Sequence, residues 1–314
     1  MDERTRVFGT RRTGREAAMP RKLGPLDVVR RIGTGSAGQV YEARDAATGA
    51  RYVVKALKRL GPVDLKRFKL EAELMMKLHH PNVMPVLRVE TQADPPFFVM
   101  PLHDGQNLFE RIRAAPVSMG FVLGLGRDVA GGLAQAHAFG VVHRDVKPAN
   151  VFLESANGRA LLLDFGLAKV PSSAEQITNK GAILGTPAYM SPEQCTGEPV
   201  LDRSDVYSLG VCLVEMLLGV NPFRTPSLLH TVTLHVEATP RRLDALLPHR
   251  VPQELGELVA RMIAKAPQHR PRAGSVFEQL SSLARDRRIA SDEQTWTVAD
   301  TDGALARIFY DRAV

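Results

Sequence analysis

The 314 residues include 44% apolar and 24% charged side chains and carry a net charge of +7, a make-up that can bury one or two substantial cores and excludes a chain disordered throughout. The two cysteines, Cys195 and Cys212, are too few for a disulfide framework and lack metal-ligand spacing, so they read as small buried residues of a protein in a reducing cytoplasm. No run reaches the ~18 apolar residues of a membrane span, and the Arg-rich start lacks the apolar centre of a signal peptide.

The positive charge is concentrated at one end: residues 1–23 hold seven basic and three acidic side chains. Residues 1–24 are charged and unpatterned, which predicts a disordered, solvated tail. No aromatic residues are interleaved in the way nucleic-acid binding would need. From Pro25 the pattern is that of short strands, over 27–32, 39–44 and 51–57, with a Thr48-Gly49 turn between the last two. Leu65, Phe68, Ala72, Met75 and Leu78 then mark one face of a helix over 64–78, stopped by His79-His80-Pro81. Further strands are expected over 83–89 and 97–100, after which the periodic segments are helical: 121–139, 203–218, 252–264 and 273–285. Four glycines, at 124, 126, 131 and 132, weaken the first of these by ~1 kcal/mol each relative to Ala, so packing must hold it. Tyr207 to Val220 is apolar but short and carries Glu215, so it reads as a buried core helix. Residues 286–314 are mixed and polar. Leu305, Ile308 and Phe309 share a face there, but fraying is expected over docking.

Three motifs carry chemistry. Gly33-Thr34-Gly35-Ser36-Ala37-Gly38-Gln39-Val40 lies between two expected strands, where bare glycines let backbone amides close on phosphate oxygens. A dinucleotide-binding unit would need a helix directly after the glycines and an acidic residue about 20 positions on; position 58 holds Lys58. Lys55 sits inside the apolar strand Tyr52 to Leu57, where an ammonium must pair or snorkel, and Glu71 on the following helix is a plausible partner. The run His143-Arg144-Asp145-Val146-Lys147-Pro148-Ala149-Asn150 is followed by Asp164-Phe165-Gly166. Two carboxylates and an amide on tight turns supply oxygen ligands for a hard cation and a group to orient a hydroxyl.

With these residues in this order, the sequence resembles a bacterial protein serine/threonine kinase of the eukaryotic-like (Hanks) type over about 26–283. The resemblance implies an α+β bilobal protein-kinase fold: a small antiparallel sheet with one main helix over 25–100, a hinge over 101–107, a larger helical lobe over 108–284, and a tail over 285–314. It implies ATP and Mg2+ or Mn2+ as cofactors, and protein substrates with Ser or Thr acceptors. Gly33, Gly35 and Gly38 would cover the ATP phosphates. Lys55, paired with Glu71, would hold the α- and β-phosphates. Asp145 would be the catalytic base, Lys147 a γ-phosphate contact, and Asn150 and Asp164 the metal ligands. Met100 falls at the gatekeeper position, the backbone of Pro101 and His103 would meet the adenine edge, and Ile32, Val40, Val53 and Phe152 would contact the nucleotide.

Later stretches fit the same family. Gly185-Thr186-Pro187-Ala188-Tyr189-Met190-Ser191-Pro192-Glu193 resembles the peptide platform that closes the activation loop, whose glutamate would pair with Arg270, while Asp205 would brace the catalytic loop. Lys147 and Thr186 favour Ser/Thr over Tyr as acceptor. Arg144 before the base resembles kinases switched on by a phosphate in the activation loop, here expected on Thr178, with transient self-association for autophosphorylation. Val53 stands where the family usually has Ala, and Ala149 replaces a Glu that helps many members select basic substrates. The competing reading is a pseudokinase, a binding or scaffold module without transfer. It is disfavoured because the lysine, base and metal positions are all kept.

Overall fold

The computed structural model describes residues 19–34, 38–57, 69, 72–165, 187–286, 289, 294–298 and 309–310. Gly35, Glu71, Thr178 and Thr186 lie outside the described residues, as do residues 1–18 of the expected tail.

The chain starts with strands β1 (Lys22–Leu23), β2 (Leu26–Thr34), β3 (Gly38–Asp45) and β4 (Arg51–Leu57), followed by β5 (Arg88–Glu90) and β6 (Phe97–Pro101). They form one antiparallel sheet in the order β1-β2-β3-β4-β6-β5. Strand periodicity sorts its side chains. Val54, Ala56, Phe97 and Val99 join Leu23, Leu26, Tyr41 and Ala43 in a core on one face, which leaves Val53, Lys55 and Met100 on the other. Val53 is opposite Met100 in the register, and Lys55 is opposite Phe98. Residues 72–77 are helical, with Ala72, Met75 and Leu78 buried as their spacing predicts.

Two expectations change here. Residues 22 and 23 lie inside the expected tail but form a strand, because Lys22 and Leu23 pair with Asp27 and Leu26 and Leu23 is buried. The strand expected over 83–89 is reduced to 88–90. Pro85 has no N–H to donate to a ladder, and the preceding residues turn instead to the other lobe: Leu162 N–H donates to Asn82 O at 2.9 Å, and Met84 N–H to Leu162 O at 3.0 Å.

Beyond β6 come β7 (Gly105–Asn107), β8 (Val117–Ser118), β9 (Val151–Glu154), β10 (Ala160–Leu162) and β11 (Thr295–Trp296). Strands β7, β9 and β10 form a small sheet beneath the hinge. The remainder is helical, with helices Leu108–Ala114, Met119–Ala138, Asp202–Leu218, Leu228–Val236, Gln253–Met262 and Ala273–Arg285. Asp202–Leu218 lies inside the main core, buried along nearly its whole length, and the other helices pack around it. Two of the glycines of Met119–Ala138 are used for close approach, while a Cβ at Gly124 would meet nothing within 4 Å. A Cβ at Gly126 would lie 3.0 Å from both Leu213 and Leu280, and one at Gly132 would lie 2.8 Å from Asn82 O. Packing thus compensates for their low helix propensity. No helix among the described residues is long and apolar enough to cross a membrane.

The expectation of a fraying C-terminal end is corrected for residues 294–298 and 309–310. Strand β11 pairs with β8, Trp296 Nε1 donates to Met216 O at 2.5 Å, and Arg241 N–H donates to Phe309 O at 2.7 Å. Phe309 is fully buried, edge-on to Phe223 and Tyr310. Polar composition hid this because a few large aromatic anchors are enough to hold a segment. Phe309→Ala is expected to cost about 3–5 kcal/mol in urea unfolding of the full chain.

The same region holds a buried histidine. His235 stacks on Phe223 with ring centroids 4.3 Å apart, and its Nδ1 is 2.9 Å from the Tyr207 hydroxyl. Burial, with the Lys265 ammonium adding to it, pushes its imidazole down to about 3, against about 6.5 in an unfolded chain. A depressed histidine pKa means that the fold needs the neutral ring. Its contribution is complete above about pH 6.5 and is lost as the pH falls toward 3, at ~1.4 kcal/mol per pH unit. His235→Phe, which keeps a stacking ring but cannot titrate, is expected to flatten this part of the stability-pH curve.

Candidate active site

The loop His143 to Asn150 is shaped by one carboxylate. Asp205, buried on the helix Asp202–Leu218, accepts the His143 N–H at Oδ2 and the Arg144 N–H at Oδ1, both at 2.8 Å, and the His137 ring Nε2 at 2.8 Å. These bonds fix a backbone that is otherwise unfavourable at Arg144, with φ 63°; Asp164, in the second turn, has φ 57°. Left-handed conformations at non-glycine residues persist where surrounding contacts impose them. His143 couples the two turns. Its Nδ1 accepts the Asp145 N–H at 3.2 Å, so Nε2 carries the proton and donates to Leu163 O at 2.7 Å. Burial lowers the His143 pKa, with Asp205 and Asp145 opposing that shift. The neutral Nε2–H ring is therefore the form that both bonds require. Its ring also packs on Phe165, centroid to centroid 4.6 Å.

Within this frame the candidate side chains meet. Asp145 Oδ2 lies 2.9 Å from Lys147 Nζ and accepts Asn150 Nδ2 at 3.0 Å; that nitrogen also donates to Asp145 O at 2.8 Å. With its nitrogen so engaged, Asn150 has its amide oxygen available as a ligand. Leu163 N–H donates to the Asn150 backbone carbonyl at 2.8 Å, which places Asp164 beside Asn150. The Asp164 carboxylate receives Lys55 Nζ at 2.7 Å. The sequence predicted Glu71 as the partner of Lys55; in the described residues Lys55 pairs with Asp164. Among the described residues no group of three or more His, Cys, Asp or Glu could hold a metal by itself. One amide oxygen and one carboxylate suit instead a small hard cation that keeps several waters and takes phosphate oxygens as its other ligands.

Above this group lies a cleft lined by Ile32, Val53, Met84, Met100, Pro101, Leu102, His103, Phe152, Leu163 and Asp164. The sequence named Ile32, Val53, Met100, Pro101, His103 and Phe152; Val40 is buried but is not among the lining residues. Leu102 and Leu163 were missed although each adjoins a named residue. Met84 carries no local signal, since it reaches the cleft through its pairing with β10. The glycine stretch starts at Gly33, opposite Val40. At Gly38 a Cβ would lie 2.0 Å from the Ala56 carbonyl oxygen, so only glycine fits. A larger depression of about 500 Å3, bounded by Asn82, Phe121, Asp128 and Arg159, contains none of the candidate residues.

Glu193 and Arg270, 77 positions apart, form a two-bonded ion pair at 2.7 and 2.9 Å. Arg270 is 1% exposed, and its remaining donors reach Ala264 O, Lys265 O and Arg203 O. Ser204 Oγ adds a bond to Glu193 at 2.5 Å, and Gln194 Nε2 donates to Arg144 O at 3.0 Å. The segment after the described gap is thereby tied to the catalytic-type loop.

A family described as "Protein kinase domain" matches residues 26–280. Among curated proteins, the chain is 36% identical over 274 residues to the serine/threonine-protein kinase pkn2 of Myxococcus xanthus, covering 83% of this chain and 32% of that protein. It is 34% identical over 268 residues to the DNA damage-responsive serine/threonine-protein kinase RqkA of Deinococcus radiodurans, covering 83% and 40%. The chain thus spans a third to two fifths of the length of these relatives. Among solved structures it resembles the Mycobacterium tuberculosis PknI kinase domain with a TM-score of 0.66 and 27% identity, covering 85% of this chain and 99% of that one.

Proposed function

The chain belongs to the protein kinase domain family, and on that premise we propose that it transfers the γ-phosphate of ATP to serine or threonine hydroxyls of proteins. The observation that carries this reading is the joined group Lys147-Asp145-Asn150 with Lys55-Asp164 beneath an apolar cleft. Val53, Met100 and Phe152 offer adenine a flat apolar slot, and the backbone of Pro101 to His103 its polar edge. Gly33, Gly35 and Gly38 approach the phosphates, and Lys55, freed from Asp164, takes the α- and β-phosphates, with Glu71 as its other partner. Asp145 accepts the hydroxyl proton, and Lys147, two residues on, offsets charge on the transferred group.

Members of this family use ATP and a divalent metal. We assign Mg2+, held by Asn150 Oδ1 and Asp164, where it would neutralise charge between the β- and γ-phosphates. Fixing the acceptor in line with the γ-phosphate can lower the barrier by ~7–11 kcal/mol. The oxygen donor set, without a three-residue protein cage among the described residues, favours this assignment.

Arg144 Nε is buried without a hydrogen-bond partner among the described residues. That supports Arg144 as the collector of an activating phosphate, which we place on Thr178, added by transient self-association of two copies. A cytoplasmic setting suits Cys195 and Cys212, both buried and free. Incubating the purified chain with ATP and Mg2+ is expected to give phosphate on Thr178 by mass spectrometry, at a rate that rises with protein concentration. Active protein without phosphate at Thr178 would remove the switch, and no phosphate on any protein substrate would remove the reading itself.

A further inference from the structure

We propose that Arg224 binds a carboxylate or phosphate on the protein substrate, so that the chain selects acceptors flanked by acidic residues; this rests on the protein-kinase reading above. The inference starts from Tyr189, in the stretch that resembles a peptide platform. Its hydroxyl donates to Glu215 Oε2 at 2.6 Å and accepts from Arg224 Nη2 at 3.2 Å. Its backbone carbonyl is held by Ser208 Oγ at 2.8 Å. Burial, with the Glu215 charge adding to it, keeps the phenol pKa well above its ordinary value, so Tyr189 brings Arg224 no negative charge.

Glu215 is 1% exposed, and both oxygens face inward: Oε2 toward Tyr189, and Oε1 toward Arg113 Nη2 at 3.4 Å. The Glu215 carboxylate is therefore not offered to a basic peptide. Ala149, in the catalytic-type loop, has no charge to offer either. Arg224 is in the opposite position. It is partly exposed, it makes no ion pair among the described residues, and its Nε is buried without an acceptor. A guanidinium has five N–H donors, and the Tyr189 hydroxyl takes one. A partly exposed guanidinium can take an incoming carboxylate or phosphate on its planar fork of donors.

The position of the cluster sets the range. Asp205, which holds the two residues just before Asp145, and Glu215 lie ten residues apart on one helix, roughly 15 Å along its axis. An extended peptide covers that distance in about five residues. The acidic residue is thus expected within about five positions of the acceptor.

The test uses the full chain and serine-acceptor peptides carrying Asp, Glu, phosphoserine, Ala or Lys at each of the five positions on either side. Two quantities are read: kcat/KM, and peptide binding by fluorescence anisotropy, which needs no turnover. The unmodified chain is expected to favour an acidic residue over Lys by about tenfold at one of these positions, Arg224→Lys to keep the preference, and Arg224→Glu to reverse it. A purely structural role for Arg224 would weaken all peptides alike. An unmodified chain without acidic preference, or an Arg224→Glu variant that retains it, overturns the inference. Acidic-selective binding that reverses in Arg224→Glu without any phosphate transfer would remove the kinase reading and leave this one standing.

Discussion

In a radiolabel assay with ATP and Mg2+, Asp145→Ala is expected to slow phosphate incorporation by at least ~100-fold, the lower range for removal of a positioned general base, while the fold persists. Asp145 is on a loop whose shape is set by Asp205 rather than by its own side chain. Its loss frees Lys147 Nζ and one bond from Asn150 Nδ2, which keeps its bond to the Asp145 backbone carbonyl. Lys55→Met is expected to act as strongly by a different route. It removes the only ammonium paired with Asp164 among the described residues and leaves the strand's apolar partners in place. Transfer at the unmodified rate in either variant would remove the role assigned to that residue.

A large stability effect is expected of Arg270→Ala. Removing one member of a buried ion pair costs about 3–5 kcal/mol, because the partner is left charged and unpaired. Here the orphans are Glu193, 4% exposed, and the carbonyls of Ala264, Lys265 and Arg203. Urea unfolding of the variant should show a midpoint shift of that size; a change below about 1 kcal/mol would mean that the pair is solvated in solution. The pH dependence has a definite sign. Burial raises the Glu193 pKa, but the bonds from Arg270 and Ser204 outweigh it and hold the carboxyl below its ordinary range. A depressed carboxyl pKa means stability that is present above the unfolded value and lost as the pH falls through the folded one. Glu193 and His235 therefore both weaken the fold on acidification, and Arg270→Ala should remove only the Glu193 share.

Much of the fold was legible because it rests on local periodicity. The alternation at 51–57 predicted β4, whose face away from the sheet's core carries Val53, in the cleft, and Lys55, paired with Asp164. The apolar run around Glu215 predicted the buried helix Asp202–Leu218. Short elements were not legible. Leu108–Ala114 and Leu228–Val236, seven and nine residues long, are too short for a clear period and owe their starts to the side chains of Asn107 and Ser227. The strand expected over 83–89 failed because Pro85 and the pairing of Asn82 and Met84 with Leu162 outweighed the apolar alternation.

By itself the sequence determined the chemistry on offer: a lysine in an apolar strand, an aspartate, an amide and a second carboxylate in fixed order, since residue types at fixed spacing are a local property of the chain. Only the tertiary structure decided how the charges are shared out. It paired Lys55 with Asp164, turned Glu215 inward to Tyr189 and Arg113, left Arg224 without a counter-charge among the described residues, and docked Trp296 and Phe309 where polar composition predicted fraying. The physical reason is range. Spacing along the chain fixes which groups are neighbours in sequence, but burial and pairing depend on segments that packing brings together across long stretches of chain, as with Arg113 and Glu215, 102 positions apart.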